Sequence, residues 1–183
     1  MGAEIIEVDL IDPKYSIAVY TILQRSEVSS NLARFDGIRF GNDRSSFGFE
    51  AKKRMMLGAY SLSSGYYDAY YSKAQKIRTI LIQNLKLALE KVDFIVGPTM
   101  PCIATKIGDA DKFSMFGELM DELTEQSSIA GMCGLSIPVG FSEGLPVGLM
   151  LIGDMFCESK ILNAAYSFQN STKYHKMIKE IKL

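Results

Sequence analysis

Apolar residues recur every three or four positions along three segments of the chain, the spacing that a helix with one buried side requires. The first segment covers residues 13–33 and follows Asp12, a good N-cap residue, with Pro13 at the first helical position. The second covers residues 49–63, and the third covers residues 66–92. The pattern therefore predicts three helices, with a glycine-bearing loop over residues 34–49.

Short apolar runs bounded by Gly and Pro predict strands over residues 93–99, 135–141 and 147–153. The last two are separated by Ser-Glu-Gly-Leu-Pro, which is typical of a turn between paired strands. Residues 3–10 are rich in Ile and Val and predict one more strand. Helices fit residues 117–129 and 159–168. Helices alternating with short apolar strands predict an α/β fold.

Composition and charge limit the classes of protein to which this chain can belong. The chain has 183 residues, of which 48% are hydrophobic and 22% charged, as in an ordinary globular domain. Its net charge of −1 is not typical of a nucleic-acid binder, which needs a basic face to displace phosphate counterions. No segment is long and apolar enough to cross a bilayer. The widely spaced Cys102, Cys133 and Cys157 favour buried thiols in a reducing cytoplasm over a zinc site or a disulfide framework.

The residues alone show no nucleophile with a base. The single histidine, His175, lies in a polar tail beyond the last predicted helix, and the chain has neither a Walker A motif nor a Rossmann glycine fingerprint. The remaining polar features are binding groups. Arg54 borders an apolar helix stretch and needs a carboxylate partner or an acidic ligand, and Asp121 lies among acidic residues. An ordinary surface ion pair is the alternative for each.

Five motifs resemble a known family when they are taken together and in order. The sequence reads EVSSNLARFDGIRFG over residues 27–41, GFEAKKRMMLG over 48–58, LSSGYYDAYYSKAQKIR over 62–78, PTMP over 98–101 and LPVGLMLIG over 145–153. This set is similar to the amidase-signature family, and within it to the glutaminase (A) subunits of the glutamyl-tRNA(Gln) amidotransferases. The implied fold is the C-terminal part of the amidase-signature fold over residues 1–183, a mixed sheet flanked by helices.

The resemblance implies a glutaminase in which a serine attacks the glutamine amide and a lysine acts through a second serine. Neither the family's lysine nor its Gly-Gly-Ser-Ser-Gly-Gly-Ser motif is present in this sequence. We therefore expect an N-terminally truncated piece that carries no catalytic residue and is inactive alone. No cofactor is expected in this chain, since ATP and Mg²⁺ are used by the B subunit of the same enzyme. The implied partners are subunits B and C and glutamine, with tRNA reached only through the B subunit, and no membrane.

The resemblance also assigns three substrate-binding residues. Arg54 matches the arginine that pairs with the α-carboxylate of glutamine, Asp121 the aspartate that receives the α-amino group, and Tyr20 a tyrosine that lines the same pocket. Where the family reads PxNLAGLPxISVP, this chain has QSSIAGMCGLSIP over residues 126–138. Two prolines of that pattern, which belong to the wall of the implied pocket, are therefore missing.

Two alternatives stay open beside the glutaminase. The chain could belong to a different amidase-signature hydrolase that acts on another amide. It could also be a non-catalytic interaction module that binds partner subunits through the loop over residues 34–49.

Overall fold

The computed structural model describes residues 2–109, 112 and 116–177. These residues form two compact units, which we call the sheet unit (Met1–Ile17 with Leu81–Leu183) and the helical unit (Ala18–Ile80). No helix in the described part is long and apolar enough to span a membrane. The α-helices are α1 (Pro13–Leu32), α2 (Phe49–Ser61), α3 (Lys73–Leu89), α4 (Phe116–Asp121), α5 (Glu125–Ala130) and α6 (Glu158–Ser171), and the strands are β1 (Ile95–Pro98), β2 (Cys133–Ser142) and β3 (Leu145–Gly153).

The three strands form one antiparallel sheet in the order β1-β3-β2. The predicted pair of strands with a turn is confirmed as the β2–β3 hairpin. Glu143 and Gly144 both have positive φ angles, 50° and 75°, as a two-residue type I′ turn requires. The register places Cys133 opposite Gly153 and shifts between Pro138 and Gly140.

Strand β3 is buried on both of its faces. Met150 and Ile152 pack in one core cluster with Leu85 and Ala88 of α3. Leu151, which points to the other face, packs in a second cluster with Ile161 and Ala165 of α6. Burial on both faces explains why the sequence of β3 is apolar without alternation. The predicted α/β fold, a sheet flanked by helices, is confirmed; the sheet was predicted to be mixed, and its three described strands are antiparallel.

The strand predicted over residues 3–10 is wrong, because this segment has no strand partner in the described part of the chain. It is held instead by two packed side chains and by one backbone hydrogen bond just after the segment ends. Val8 and Leu10 pack against the first core cluster, and the Ile11 N–H donates to the Asn84 side-chain oxygen at 2.9 Å. Ile5 remains 90% exposed, so only some of the apolar side chains in this segment are buried within this chain.

Two predicted helices differ in detail from the structure. The helix predicted over residues 117–129 is divided into α4 and α5 by a turn, in which the Thr124 N–H and hydroxyl both donate to the Asp121 carbonyl at 3.0 Å. The helix predicted over residues 66–92 begins with a π-helical turn at Asp68–Ser72 before α3. Single π turns inside helices are rare and have no marker residues comparable to a cap, which is why the sequence did not indicate this one.

In the helical unit, α1 and α2 approach each other closely at Gly58. A Cβ atom added to Gly58 would lie 1.9 Å from the Arg25 carbonyl oxygen and 2.7 Å from the Ser29 Cβ. Beside this point the buried hydroxyls of Ser26 and Ser61 are 2.7 Å apart. Ser26 Oγ also lies 2.8 Å from the Ile22 carbonyl oxygen, and Ser61 Oγ lies 3.0 Å from the Gly58 carbonyl oxygen. One hydroxyl therefore donates to the other while the accepting hydroxyl donates into its own helix, so neither is left unpaired where the backbones approach.

Glu125 is an exception to the apolar interior of the sheet unit. It is only 7% exposed, and its Oε2 atom has no hydrogen-bond partner among the described residues. Burial and, to a smaller extent, the charge of Asp121 raise the pKa of Glu125 to about 7. The carboxyl is therefore kept partly neutral near neutral pH.

We predict that Gly58→Ala destabilises the chain by about 2–3 kcal/mol, because the new methyl group collides with backbone atoms of α1. Helix propensity alone predicts the opposite sign, a gain of about 1 kcal/mol. Urea unfolding measures the difference. The matched control is Gly48→Ala at the N-cap of the same helix, where a Cβ meets nothing within 4 Å. A stabilised Gly58→Ala variant would contradict the close approach.

We predict that Glu125→Gln removes a pH dependence from the free energy of unfolding. The folded pKa lies above the ordinary value of 4.5, so the contribution of Glu125 is fully present below pH 4.5 and is lost as the pH rises through about 7. The loss amounts to about 3 kcal/mol. The variant should therefore gain stability relative to the wild type between pH 5 and pH 8 in roughly that amount. Parallel stability curves for the two proteins would show that Glu125 is not buried as described.

Candidate functional site

Arg54 lies in the middle of α2, with its guanidinium fixed by an acidic residue one turn earlier. Its Nε–H donates to Glu50 Oε1 at 2.8 Å, and the two residues are four positions apart, which brings their side chains to the same side of the helix. The Arg54 side chain is 36% exposed and Glu50 is 53% exposed. Lys53 also approaches Glu50, at 3.8 Å. Glu50 therefore orients the arginine from an exposed position.

Tyr20 of α1 lies within hydrogen-bonding reach of the same guanidinium. The hydrogen bond to Glu50 raises the pKa of Arg54 most, and the contact with the Tyr20 oxygen adds to it, while partial burial opposes both. Tyr20 and Arg54 were predicted as site residues from separate segments of the sequence. The α1–α2 approach at Gly58 brings them into contact.

This arrangement suits the binding of a planar anion. A guanidinium has five N–H donors, and Glu50 takes the one on Nε, so further donors remain on the terminal nitrogens. Two parallel N–H donors match the two oxygens of a carboxylate, and a tyrosine hydroxyl adds a donor beside them. A lysine in place of Arg54 would keep the charge but lose this paired geometry.

Asp121 is the last residue of α4, in the sheet unit, and is partly buried. Its carbonyl oxygen accepts the two hydrogen bonds from Thr124, which fixes the turn into α5. Its carboxylate lies close enough to Glu125 to raise the pKa of that residue. The structure thus places Asp121 beside a second carboxyl group, which is partly ionised near neutral pH because its pKa is about 7.

A cavity of about 740 Å³ adjoins α4 in the sheet unit, and the sequence had not indicated it. Met120, which precedes Asp121, lines it together with Phe116, and the Met120 sulfur is 3.6 Å from the Cys102 sulfur. The other walls are the loop after β1 and the turn of the β2–β3 hairpin. The PTMP motif contributes its last two residues to this cavity. This motif was the one feature of the sequence that could have indicated the cavity.

A hydroxyl pair at the base of the PTMP loop was also missed. Thr99 Oγ1 and Ser136 Oγ are 2.7 Å apart. Both lie over Gly148, where a Cβ atom would come within 2.8 Å of the Thr99 oxygen and 2.7 Å of the Ser136 oxygen. Gly148 therefore provides the space for this pair, and Ser136 is held by a threonine rather than by a base.

The first part of the loop over residues 34–49 is held by the carboxylate of Asp36. Asp36 Oδ1 accepts from the backbone N–H groups of Ile38 at 3.0 Å and Arg39 at 2.9 Å, and Oδ2 accepts from Arg39 Nε at 3.0 Å. These hydrogen bonds hold the pKa of Asp36 well below its usual range. The loop nevertheless presents Ile38 and Phe40 to solvent, with 91% and 62% of their surfaces exposed.

Comparison with known proteins places the chain in a family. The family model described as Amidase matches residues 1–162. The chain is 46% identical over 191 residues to the glutamyl-tRNA(Gln) amidotransferase A subunit of Synechococcus sp. (strain JA-2-3B'a(2-13)), a match that covers 96% of this chain and 37% of that protein. It is 47% identical over 190 residues to the A subunit of Thermoanaerobacter pseudethanolicus, covering 96% and 39%. The chain thus spans a little over a third of the length of these curated relatives.

Solved structures agree with the sequence relatives. The glutamyl-tRNA(Gln) amidotransferase A subunit of Thermotoga maritima superimposes with a TM-score of 0.72 at 35% identity, over 96% of this chain and 37% of that one. A structure described as an amidase gives a TM-score of 0.74 at 24% identity and covers 92% of this chain, which bears on the fold alone. Because the family model matches most of its length, this chain belongs to the amidase-signature family.

Proposed function

We propose that this chain is part of the glutaminase subunit of a glutamyl-tRNA(Gln) amidotransferase, the enzyme that converts Glu-tRNA(Gln) to Gln-tRNA(Gln) in the cytoplasm. The observation that carries the proposal is the placement of Tyr20 on α1 close enough to the Arg54 guanidinium on α2 to raise the pKa of the arginine. Relatives that carry this name are 46–47% identical to the chain, which supports the same assignment.

Glutamine offers two charged groups that a binding site must recognise. Arg54 binds the α-carboxylate, because its guanidinium has donors beyond the one that Glu50 occupies. Tyr20 donates its hydroxyl to the same carboxylate. Asp121 receives the α-amino group, and the neighbouring Glu125 adds negative potential when it ionises. The role proposed for each residue rests on the contacts of that residue within its own unit.

The group that breaks the amide bond lies outside this sequence. The relatives are more than twice as long as the chain, and the family's lysine and serine-rich motif are not among these residues. We propose that the chain is inactive alone and that hydrolysis requires the remaining part of the glutaminase. The ammonia then passes to the B subunit, which uses ATP and Mg²⁺ and contacts the tRNA, while the small C subunit joins the two.

A second candidate, a non-catalytic interaction module, is favoured by the exposed tip of the loop over residues 34–49. Ile38 is 91% exposed, yet the backbone around it is fixed by Asp36. An apolar side chain on an ordered loop loses little conformational entropy when a partner covers it. The two candidates share subunits B and C as partners, and they differ in whether the assembled protein releases ammonia from glutamine.

We predict that Arg54→Lys raises the KM for glutamine about 10- to 100-fold while a lysine still supplies the charge, because the paired donors are lost. The assay measures ammonia release by a chimaera in which this chain replaces the corresponding part of the Thermoanaerobacter pseudethanolicus protein, assembled with subunits B and C. The matched control is Lys53→Ala, which removes an exposed cation that also approaches Glu50.

Lys53→Ala should change the KM by less than about twofold, as expected for an exposed pair. Equal KM values for the two variants would remove Arg54 from the site. A chimaera that folds and assembles but prefers another amide over glutamine would instead support a different amidase-signature hydrolase.

We predict that Ile38→Asp weakens assembly with subunits B and C about tenfold or more, because a charge enters a desolvated interface. Co-purification at graded salt concentrations measures assembly. Ile107→Asp is the control, since Ile107 is also fully exposed but lies in the sheet unit outside this loop. Unchanged assembly of the Ile38→Asp variant would count against the interaction module.

A further inference from the structure

Two of the three cysteines meet at one end of the sheet. Cys133 begins β2, and its partner across the hairpin is Gly153. Cys157 is the N-cap residue of α6, four positions after Gly153. A Cβ atom added to Gly153 would lie 2.5 Å from the Cys157 sulfur. The Cys157 sulfur therefore occupies the space above the residue that is directly opposite Cys133.

Both thiols belong to the same local environment. Cys133 packs against the core cluster that contains Ile161 of α6, and the Cβ position on Gly153 is 3.3 Å from the Ile161 Cδ1 atom. Both cysteines are partly buried. Burial raises the pKa of Cys157 most, the contact with the Cys133 thiol adds to it, and the charges of Glu158 and Asp154 act in the same direction.

Cys102 has a different environment. It is exposed, and its sulfur lies 3.6 Å from the sulfur of Met120, in the wall of the large cavity. The pairing of Cys133 with Cys157 is therefore selective.

We propose that Cys133 and Cys157 are a modification site, which an oxidising small-molecule disulfide converts to an intrachain disulfide. The bond would tie the first residue of β2 to the N-terminus of α6 and close the hairpin between them. This inference does not depend on the proposed glutaminase function.

The reaction balances with oxidised glutathione as the oxidant. One cysteine thiolate attacks a glutathione sulfur, forms a mixed disulfide and releases one glutathione thiolate. The second cysteine thiolate then attacks the protein sulfur of that mixed disulfide and displaces the second glutathione. Two protein thiols are oxidised, one glutathione disulfide is reduced to two thiols, and the two protons lost from the cysteines end on glutathione.

The positions of the two sulfurs determine whether ring closure or the addition of a second glutathione follows the first step. Because the two sulfurs are already neighbours in the folded chain, ring closure is intramolecular and precedes a second attack by glutathione. In urea this proximity is lost. The raised pKa of Cys157 lowers its thiolate fraction at neutral pH, so the overall rate should increase between pH 7 and pH 9.

The test uses the full chain with Cys102→Ser, which removes the exposed thiol. After incubation with oxidised glutathione at pH 8, intact mass should fall by about 2 Da, and a digest should contain one peptide pair joined through Cys133 and Cys157. The melting temperature should rise by about 5–10 °C and return after treatment with dithiothreitol. The same treatment in urea should give mainly glutathione adducts.

Two control variants add Cys133→Ser or Cys157→Ala to the same background. Each should take up one glutathione and show no thermal shift under oxidation. The proposal is overturned if the folded Cys102→Ser chain carries two glutathiones, or if its mass is unchanged at pH 9 while the urea-unfolded chain reacts.

Discussion

The helical unit depends on the absence of a side chain at Gly58. Two helices can approach until backbone touches backbone only where both present small residues, and here these are Gly58 and Ser61 on α2 and Ser26 and Ser29 on α1. The shared hydroxyl contact of Ser26 and Ser61 satisfies two buried polar groups that would otherwise oppose the close packing. Tyr20 and Arg54 lie on these same helices, so the close approach also sets the distance between the tyrosine and the arginine. A packing constraint thus determines the geometry of the candidate anion site.

The sheet unit is built differently, because one strand, β3, packs against helices on both of its faces. Alternate residues of β3 enter the core clusters of α3 and α6, and the long apolar run of the strand follows from this double burial. At two positions of β3, another group packs directly against the strand backbone. Gly148 and Gly153 both lack a side chain where another group needs the space, the Thr99–Ser136 hydroxyl pair in one case and the Cys157 sulfur in the other.

Long periodic segments were the most predictable part of the fold. Helix α1 begins at Pro13 as its Asp-Pro signal indicated, and the β2–β3 hairpin follows from two apolar runs and a turn. The segment over residues 3–10 was predicted wrongly because Ile and Val favour strands only when a partner strand exists, and partners are set by tertiary structure. The division between α4 and α5 depends on hydrogen bonds from Thr124 to one carbonyl, which no periodicity reveals.

The residues of the candidate site that could be predicted are those whose chemistry is evident from the sequence around them. An arginine on an apolar helix indicates its own need for an anion, whereas Asp121 was indicated only by the overall resemblance to the family. Glu125 was counted only as a nearby acidic residue, because its significance is its burial, which depends on packing. The Cys133–Cys157 contact was missed for the same reason, since 24 positions separate the two cysteines and only the hairpin register brings them together.

Glu50 gives the arginine site its last physical feature. An arginine without a partner would sample many rotamers and would lose that freedom on binding a ligand. The hydrogen bond from Arg54 to Glu50 restricts the guanidinium before any ligand arrives, and Glu50 itself stays exposed and well hydrated. Because water screens its charge, Glu50 orients the arginine without cancelling its attraction for a carboxylate. An exposed ion pair that contributes little to stability therefore serves preorganisation instead.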